Sequence, residues 1–171
     1  MRICLSLFLL LAASLAGAQD FPASFLGHWE GELEWFQAGR PTPQKVKMQL
    51  IIKPADTAGQ FTWQLIYGDK QQDNRPYLLK PVDTAKGHWV VDEQNGILLD
   101  QYWIGGRVTN AFTVQKTTIF NNYWLEGDKL MAEFYGYSSA SVRRSGGTGE
   151  DIPPVDSYGA KSYQRAVLKR K

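Results

Sequence analysis

Cysteine is close to absent. The one cysteine, Cys4, lies in a segment with the marks of a removable export signal: Arg2 at the positive end, an apolar run over 3–15, and Ala16-Gly17-Ala18 as a small-residue cleavage site before Gln19. Residues 1–18 are therefore expected to be a signal peptide, and the mature protein to be periplasmic or secreted and free of thiols. That excludes disulfides, thiol catalysis and cysteine-ligated metal, and leaves stability to an apolar core. Cys4 also stands too early to be the acylated residue of a lipoprotein. Histidine is scarce: His28 and His88 are the only two, and neither sits in an H-x-H or H-E-x-x-H spacing, so no metal site is read. After residue 18 no apolar run approaches the roughly 20 residues of a spanning helix, and stable membrane insertion is not expected. Charge of one sign is lacking too. The chain has 19 Lys and Arg against 17 Asp and Glu, and losing Arg2 leaves 18 against 17. The basic residues are scattered, apart from Arg143-Arg144 and the terminal Lys169-Arg170-Lys171, which argues against a nucleic-acid surface. No G-x-S-x-G or S-x-x-K nucleophile motif occurs. Ser145-Gly146-Gly147-Thr148-Gly149 lacks the lysine of a phosphate loop. These absences imply no cofactor, and no protein partner can be named.

What is present favours strands. Six Trp, eight Tyr and eight Phe, with many Val, Ile and Thr, suit pleated, half-buried surfaces. Period-two alternation recurs along the chain, broken by Gly, Asn, Asp and Pro, and no long segment has helical periodicity. At most 22–26 makes one helical turn. Strands are expected over 27–37, 45–53, 60–67, 77–82, 87–93, 97–104, 107–115, 116–125, 129–138 and 161–169. The prolines Pro76 and Pro81 mark 77–82 as an edge or irregular strand. In the first strand Trp29, Gly31, Leu33 and Trp35 share one face. His28, Glu30, Glu32 and Glu34 share the other, and so many carboxylates require water. Asn95-Gly96 and Gly105-Gly106 read as two-residue hairpin turns. They put Trp103 opposite Val108, Gln101 opposite Asn110, Leu99 opposite Phe112 and Ile97 opposite Val114, and bring His88 opposite Trp103. That face, His88 included, is read as interior, with Trp89, Tyr102 and Ile104 outside. The turn at Gly127-Asp128 sets Leu125 against Leu130, Tyr123 against Ala132 and Asn121 against Phe134. In 161–169, Tyr163, Arg165 and Val167 share a face. The segment 139–160, rich in Ser, Gly and Pro, reads as a long flexible loop, either a lid or disordered.

The expected fold is all-β: an up-and-down antiparallel β-barrel of about 8–10 strands, which leaves no open sheet edge. An open two-sheet β-sandwich is the alternative. Residues 19–171 suffice for one such domain.

Gly27-His28-Trp29 at the first strand and Tyr163-Gln164-Arg165 in the last resemble the calycin pattern of lipocalins, fatty-acid-binding proteins and bacterial relatives. That resemblance implies that Trp29 plugs one end of the barrel, that Arg165 stacks over it, and that Gly27, Trp29 and Arg165 are structural closure residues. Leu26-Gly27-His28-Trp29-Glu30-Gly31 also looks like the opening of nitrobindin-type haem barrels. Those families ligate iron with a His in the closing part of the barrel; the closing strand here has none, so no haem is expected.

Candidate interior ligand contacts are Trp35, Trp63, Tyr67, His88, Gln101, Trp103 and Asn110, an aromatic set with a few polar groups, as in small-molecule sites. The leading expectation is an exported lipocalin-like barrel that binds a small, largely apolar molecule and is not an enzyme. Two alternatives stand beside it: a barrel enzyme of isomerase or hydrolase type using His88, and an interaction domain whose barrel is filled.

Overall fold

The protein is described by a computed structural model covering residues 20–70 and 73–171. The expected signal peptide lies outside the described residues. Ten strands follow in order: β1 (Gly27–Gln37), β2 (Gln44–Ile52), β3 (Phe61–Tyr67), β4 (Asp73–Asp83), β5 (His88–Asp92), β6 (Leu98–Ile104), β7 (Arg107–Val114), β8 (Thr117–Glu126), β9 (Lys129–Ser145) and β10 (Val155–Arg170). Each pairs antiparallel with its sequence neighbour, and β1 pairs with β10, so the sheet closes into an up-and-down barrel. The sandwich alternative is set aside by that closing ladder. The strand at Asp73–Asp83 is not an edge strand, since it pairs with β3 and β5; its register shifts between Pro81 and Asp83, a bulge at the proline that lacks a ladder donor.

Odd-numbered strands start at one end of the barrel, which is closed. A 3-10 turn, Ala23–Phe25, folds into it. Phe25 is fully buried, and Phe21 packs at 5.5 Å from the rings of both Trp89 and Trp103. Trp29 is buried beneath this plug, its indole N–H donating to the Phe25 carbonyl at 2.8 Å. The inner rows of Leu33, Met48, Leu50, Ile52, Leu79, Val108, Leu130 and Leu168 fill the space around it. These residues alternate with charged ones, so burying one row automatically exposes the other.

Two turns have the expected register. Trp103 lies opposite Val108, and Leu125, Tyr123 and Asn121 lie opposite Leu130, Ala132 and Phe134. The turn between β5 and β6 does not. Glu93 N–H bonds the Ile97 carbonyl at 3.0 Å, leaving Gln94-Asn95-Gly96 as a three-residue loop. Gln94 takes φ 61°, and Asp92 and Asn95 carboxyl and amide oxygens accept from the N–H groups two residues on. The extra residue shifts the pairing by one, so His88 lies opposite Tyr102 and Trp89 opposite Gln101. Trp89 and Val91 therefore point inward and His88 outward, which reverses the expected faces.

Two further expectations are corrected. The face of β10 that holds Tyr163, Arg165 and Val167 is the outer one; Ala166 and Leu168 are the buried residues. And 139–160 is largely strand: β9 runs on to Ser145 and β10 begins at Val155, with pairs such as Asp156–Arg144 and Ser157–Arg143. Their neighbours stop earlier, at Thr117–Ser138 and Gln37–Ser162. The two strands thus project past the barrel mouth as a two-stranded arm. Its order comes from the backbone ladder and from continuity with β9 and β10, not from apolar burial, which is why its composition reads as loop.

Candidate functional site

The mouth, opposite the plug, is where the interior is not filled. The ladder between β6 and β7 pairs Ile104 with Arg107, Trp103 with Val108 and Tyr102 with Thr109, then stops. The expected pairings of Gln101 with Asn110, Leu99 with Phe112 and Ile97 with Val114 are not made, because the strands part toward the mouth. Gln101 directs its amide N–H to the Leu99 carbonyl of its own strand at 3.2 Å. Between the parted strands opens a cup of about 540 Å³. Its walls are Ile97, Leu99, Phe112, Val114 and Ile119, and Arg75, Tyr77 and Glu93 stand at its polar side.

Below the cup, sharing Tyr77 and Leu99 with it, is a small recess of about 40 Å³ bounded by Trp63, Gln101, Asn110, Asn121 and Tyr123. That volume suits one or two waters; a drug-sized ligand needs roughly 300–1,000 Å³. Asn110 and Asn121 face each other across β7 and β8. The side-chain oxygens of both are buried with no protein hydrogen-bond partner. Two unpaired buried amide oxygens are costly, on the order of 1–3 kcal/mol each if nothing donates to them. The floor therefore calls for a donor.

The cation at the cup is already matched, and Glu93 accepts from the Asn95 amide at 3.2 Å. The Arg75 guanidinium grips Asp73 with two hydrogen bonds, at 2.8 and 2.5 Å, and lies 5.2 Å from the Tyr67 ring centre. The bond from Arg75 holds the Asp73 carboxyl below its usual range. Burial pushes the Tyr67 phenol up to about 12 and the Tyr123 phenol well above its usual value; burial and then the nearby Glu93 raise Tyr77. These phenols stay neutral donors across the physiological range.

Of the candidate ligand contacts, Trp63, Gln101 and Asn110 meet at the floor. Tyr67 shares the inward face of β3 with Trp63, toward the mouth. Trp35 shares the inward face of β1 with Trp29, also toward the mouth, and its indole N–H is buried without a partner. Two candidates are elsewhere. Trp103 packs under the plug, 5.7 Å from Phe25. His88 is on the outer surface, stacked at 4.7 Å on Tyr102 and hydrogen-bonded to Asp100 at 2.7 Å. Its role as an interior catalytic base is therefore withdrawn. Tyr77, Arg75 and Asn121 were missed. Asn121 was legible from its alternation with Tyr123 and Leu125, whereas the prolines of β4 hide the alternation that points Arg75 and Tyr77 inward.

At the closed end the guanidinium over Trp29 belongs to Arg170, 4.2 Å from the ring centre, and not to Arg165. Arg170 also donates to the Leu26 carbonyl. Gly27, at φ 147°, leaves room for it: a Cβ there would come within 2.6 Å of the Arg170 guanidinium. Arg165 lies outside, opposite Glu34, and bonds it at 2.7 Å. The register explains the exchange, because Trp29 lies opposite Arg170 in the ladder. Among the described residues no group of three His, Cys, Asp or Glu is placed to hold a metal ion.

Comparison with solved structures places this architecture beside known folds. A crystal structure of a protein of unknown function from the DUF3598 family of Nostoc punctiforme superposes with a TM-score of 0.61 at 14% identity, over 85% of this chain and 47% of that one. The chain thus spans about half of that protein, and the likeness is one of fold. No protein-family model matches the sequence, and no curated protein matches it.

Proposed function

We propose that this protein is a calycin-like carrier, exported to the periplasm or beyond, that binds a small, neutral, largely apolar molecule in the cup between β6 and β7. The observation that carries this reading is an apolar cup set directly over two unpaired amide oxygens, Asn110 Oδ1 and Asn121 Oδ1. An apolar body fits the walls, and a hydroxyl or N–H head group fits the floor. A neutral ligand is favoured over an anionic one because Arg75 is already neutralised by Asp73 and Glu93 adds a carboxylate at the cup. The charged outer rows, with pairs such as Lys45–Glu32 and Arg165–Glu34, suit a barrel bathed in water on its outside. Intact mass of the exported protein tests the export half of the reading: it is expected to begin near Gln19, and retention of Cys4 would refute it.

Binding is tested by titrating decanol and decane while following tryptophan emission, since Trp63 borders the floor. Decanol is expected to bind saturably and more tightly than decane. Replacing both amides, Asn110→Leu with Asn121→Leu, is expected to erase that preference, a hydrogen bond being worth about 0.5–1.5 kcal/mol, or roughly two- to tenfold in affinity. Absence of saturable binding by either probe would sink the proposal.

A further inference from the structure

Registers across four strands line up the outer face at the seam where the barrel closes. Phe120 lies opposite Tyr135, Tyr135 opposite Tyr163, and Tyr163 opposite Phe36. This is an aromatic row on a surface that the alternation otherwise gives to charge. Ring centres are 5.0 Å apart for Tyr135 and Tyr163 and 5.8 Å for Tyr163 and Phe36. Phe36, Tyr135 and Tyr163 are half-buried and Phe120 is exposed, so each ring leaves part of its surface open. The next row down holds Glu133, Arg165 and Glu34. Tyr163 and Tyr135 hydroxyls both donate to Glu133, at 2.7 and 3.2 Å, and Arg165 Nε donates to Glu34. A depression of about 520 Å³ covers this charged row and one of about 420 Å³ covers Phe36, Tyr135 and Tyr163; they share Tyr163 and form one elongated groove, with Phe120 at its edge beside Tyr135.

We propose that this outer groove is a second binding site, for a neutral oligosaccharide chain. A sugar ring has apolar C–H faces and a rim of hydroxyls, and the groove presents both complements side by side. Partly open aromatic rings meet the C–H faces. Glu133 keeps acceptor capacity beyond its two tyrosine bonds, since a carboxylate offers about four lone-pair sites, and Arg165 keeps guanidinium donors beyond Nε. The tyrosine–Glu133 bonds hold these groups in place before a ligand arrives, which lowers the ordering cost of binding. A protein partner fits less well, because the centre of a protein interface is depleted of charge, and here the centre is Glu34, Glu133 and Arg165. A polyanion fits less well too: the lining carboxylates Glu32, Glu34 and Glu133 outnumber the cations Arg165 and Lys161, and the Lys161 ammonium is already held by the Lys116 carbonyl and the Thr117 hydroxyl.

The test is calorimetric titration of the mature protein with cellohexaose, xylohexaose and chitohexaose, with hexagalacturonate as the acidic probe. At least one neutral hexamer is expected to bind, its disaccharide more weakly, and the acidic probe not at all. Phe120→Ala, at a ring already 41% exposed, is expected to fold normally and to weaken binding about three- to tenfold. Tyr163→Ala with Tyr135→Ala is expected to weaken it further, and Asn110→Leu in the cup to leave it unchanged. The proposal is overturned if none of the neutral hexamers binds, if the acidic hexamer binds as well as they do, or if folded Phe120→Ala binds like the parent. Self-association of the parent that Phe120→Ala disperses, with no sugar binding, would make the face a protein interface and overturn it as well.

Discussion

Trp29 is fastened three ways: its indole N–H to the Phe25 carbonyl, Arg170 across its ring, and a bed of buried aliphatic side chains. Trp29→Ala is expected to cost about 3–5 kcal/mol, because it leaves a cavity that rigid neighbours cannot close. Arg170→Ala removes the cation–π contact and is expected to cost about 0.5–2 kcal/mol. Arg165→Ala, at an exposed pair, is expected to leave the urea unfolding midpoint where it is. A midpoint that moved with Arg165 and not with Arg170 would contradict this assignment of the closing residue. At the mouth the same reasoning applies to protons. The ordinary phenol value is 10, and Tyr67 in the fold stands at about 12. Its folded value is raised, so its contribution to stability is full below pH 10 and is lost as pH climbs from 10 toward 12. Tyr67→Phe is expected to flatten that loss, seen as a smaller fall in thermal midpoint between those two pH values.

At the scale of elements, the arm made by the ends of β9 and β10 is unlike the rest. Its side chains are exposed, among them Val142, Val155 and Tyr158, and beyond Ser139 and Lys161 each strand has only the other as its backbone partner. Segments with few buried contacts open at low free energy. Amides of 140–145 and 155–160 are therefore expected to exchange hydrogen faster than those of β2 and β3. Replacing 141–157 with a short Asn-Gly turn is expected to leave the barrel folded, with its thermal midpoint within a few degrees of the parent. Loss of cooperative unfolding on that replacement would show instead that the arm stabilises the barrel.

At the scale of the whole molecule the barrel is two halves with different roles. The plugged half is packed with aliphatic and aromatic side chains and sets stability. The mouth half has parted strands, the Arg75–Asp73 pair and the orphaned amides, and it is the half where the proposed carrier reading puts its ligand. The outer seam adds a third surface, where β1 meets β10. Because the plug and cup are at opposite ends, substitutions in one are expected to act independently of those in the other. A double variant of Arg170→Ala and Asn110→Leu should show additive changes in stability, as distant sites do to within about 0.3–0.5 kcal/mol.

The strand positions apart from the start of β4 and the arm over 139–160, the inward alternation of β1, and the registers next to Gly105-Gly106 and Gly127-Asp128 were legible in the amino-acid sequence. Each is a local matter: period-two patterning and turn residues that permit few geometries. The all-β, up-and-down barrel of about 8–10 strands follows from adding them up, and the structure fixes the number at ten among the described residues. What only the tertiary structure decided rests on single-residue offsets. One extra residue at Gln94 turned His88 out and Trp89 in. Register shifts between Ser157 and Ser162 accompany the outward face of Arg165, and the pairing of Trp29 with Arg170 placed the closing guanidinium. Slipping a strand by one residue exchanges its faces completely, and patterning alone does not count such offsets. The parting of β6 from β7, and so the cup, was invisible for a related reason: both strands have ordinary strand sequences, and whether their ladder continues depends on how the closed barrel shares its hydrogen bonds, not on either strand alone.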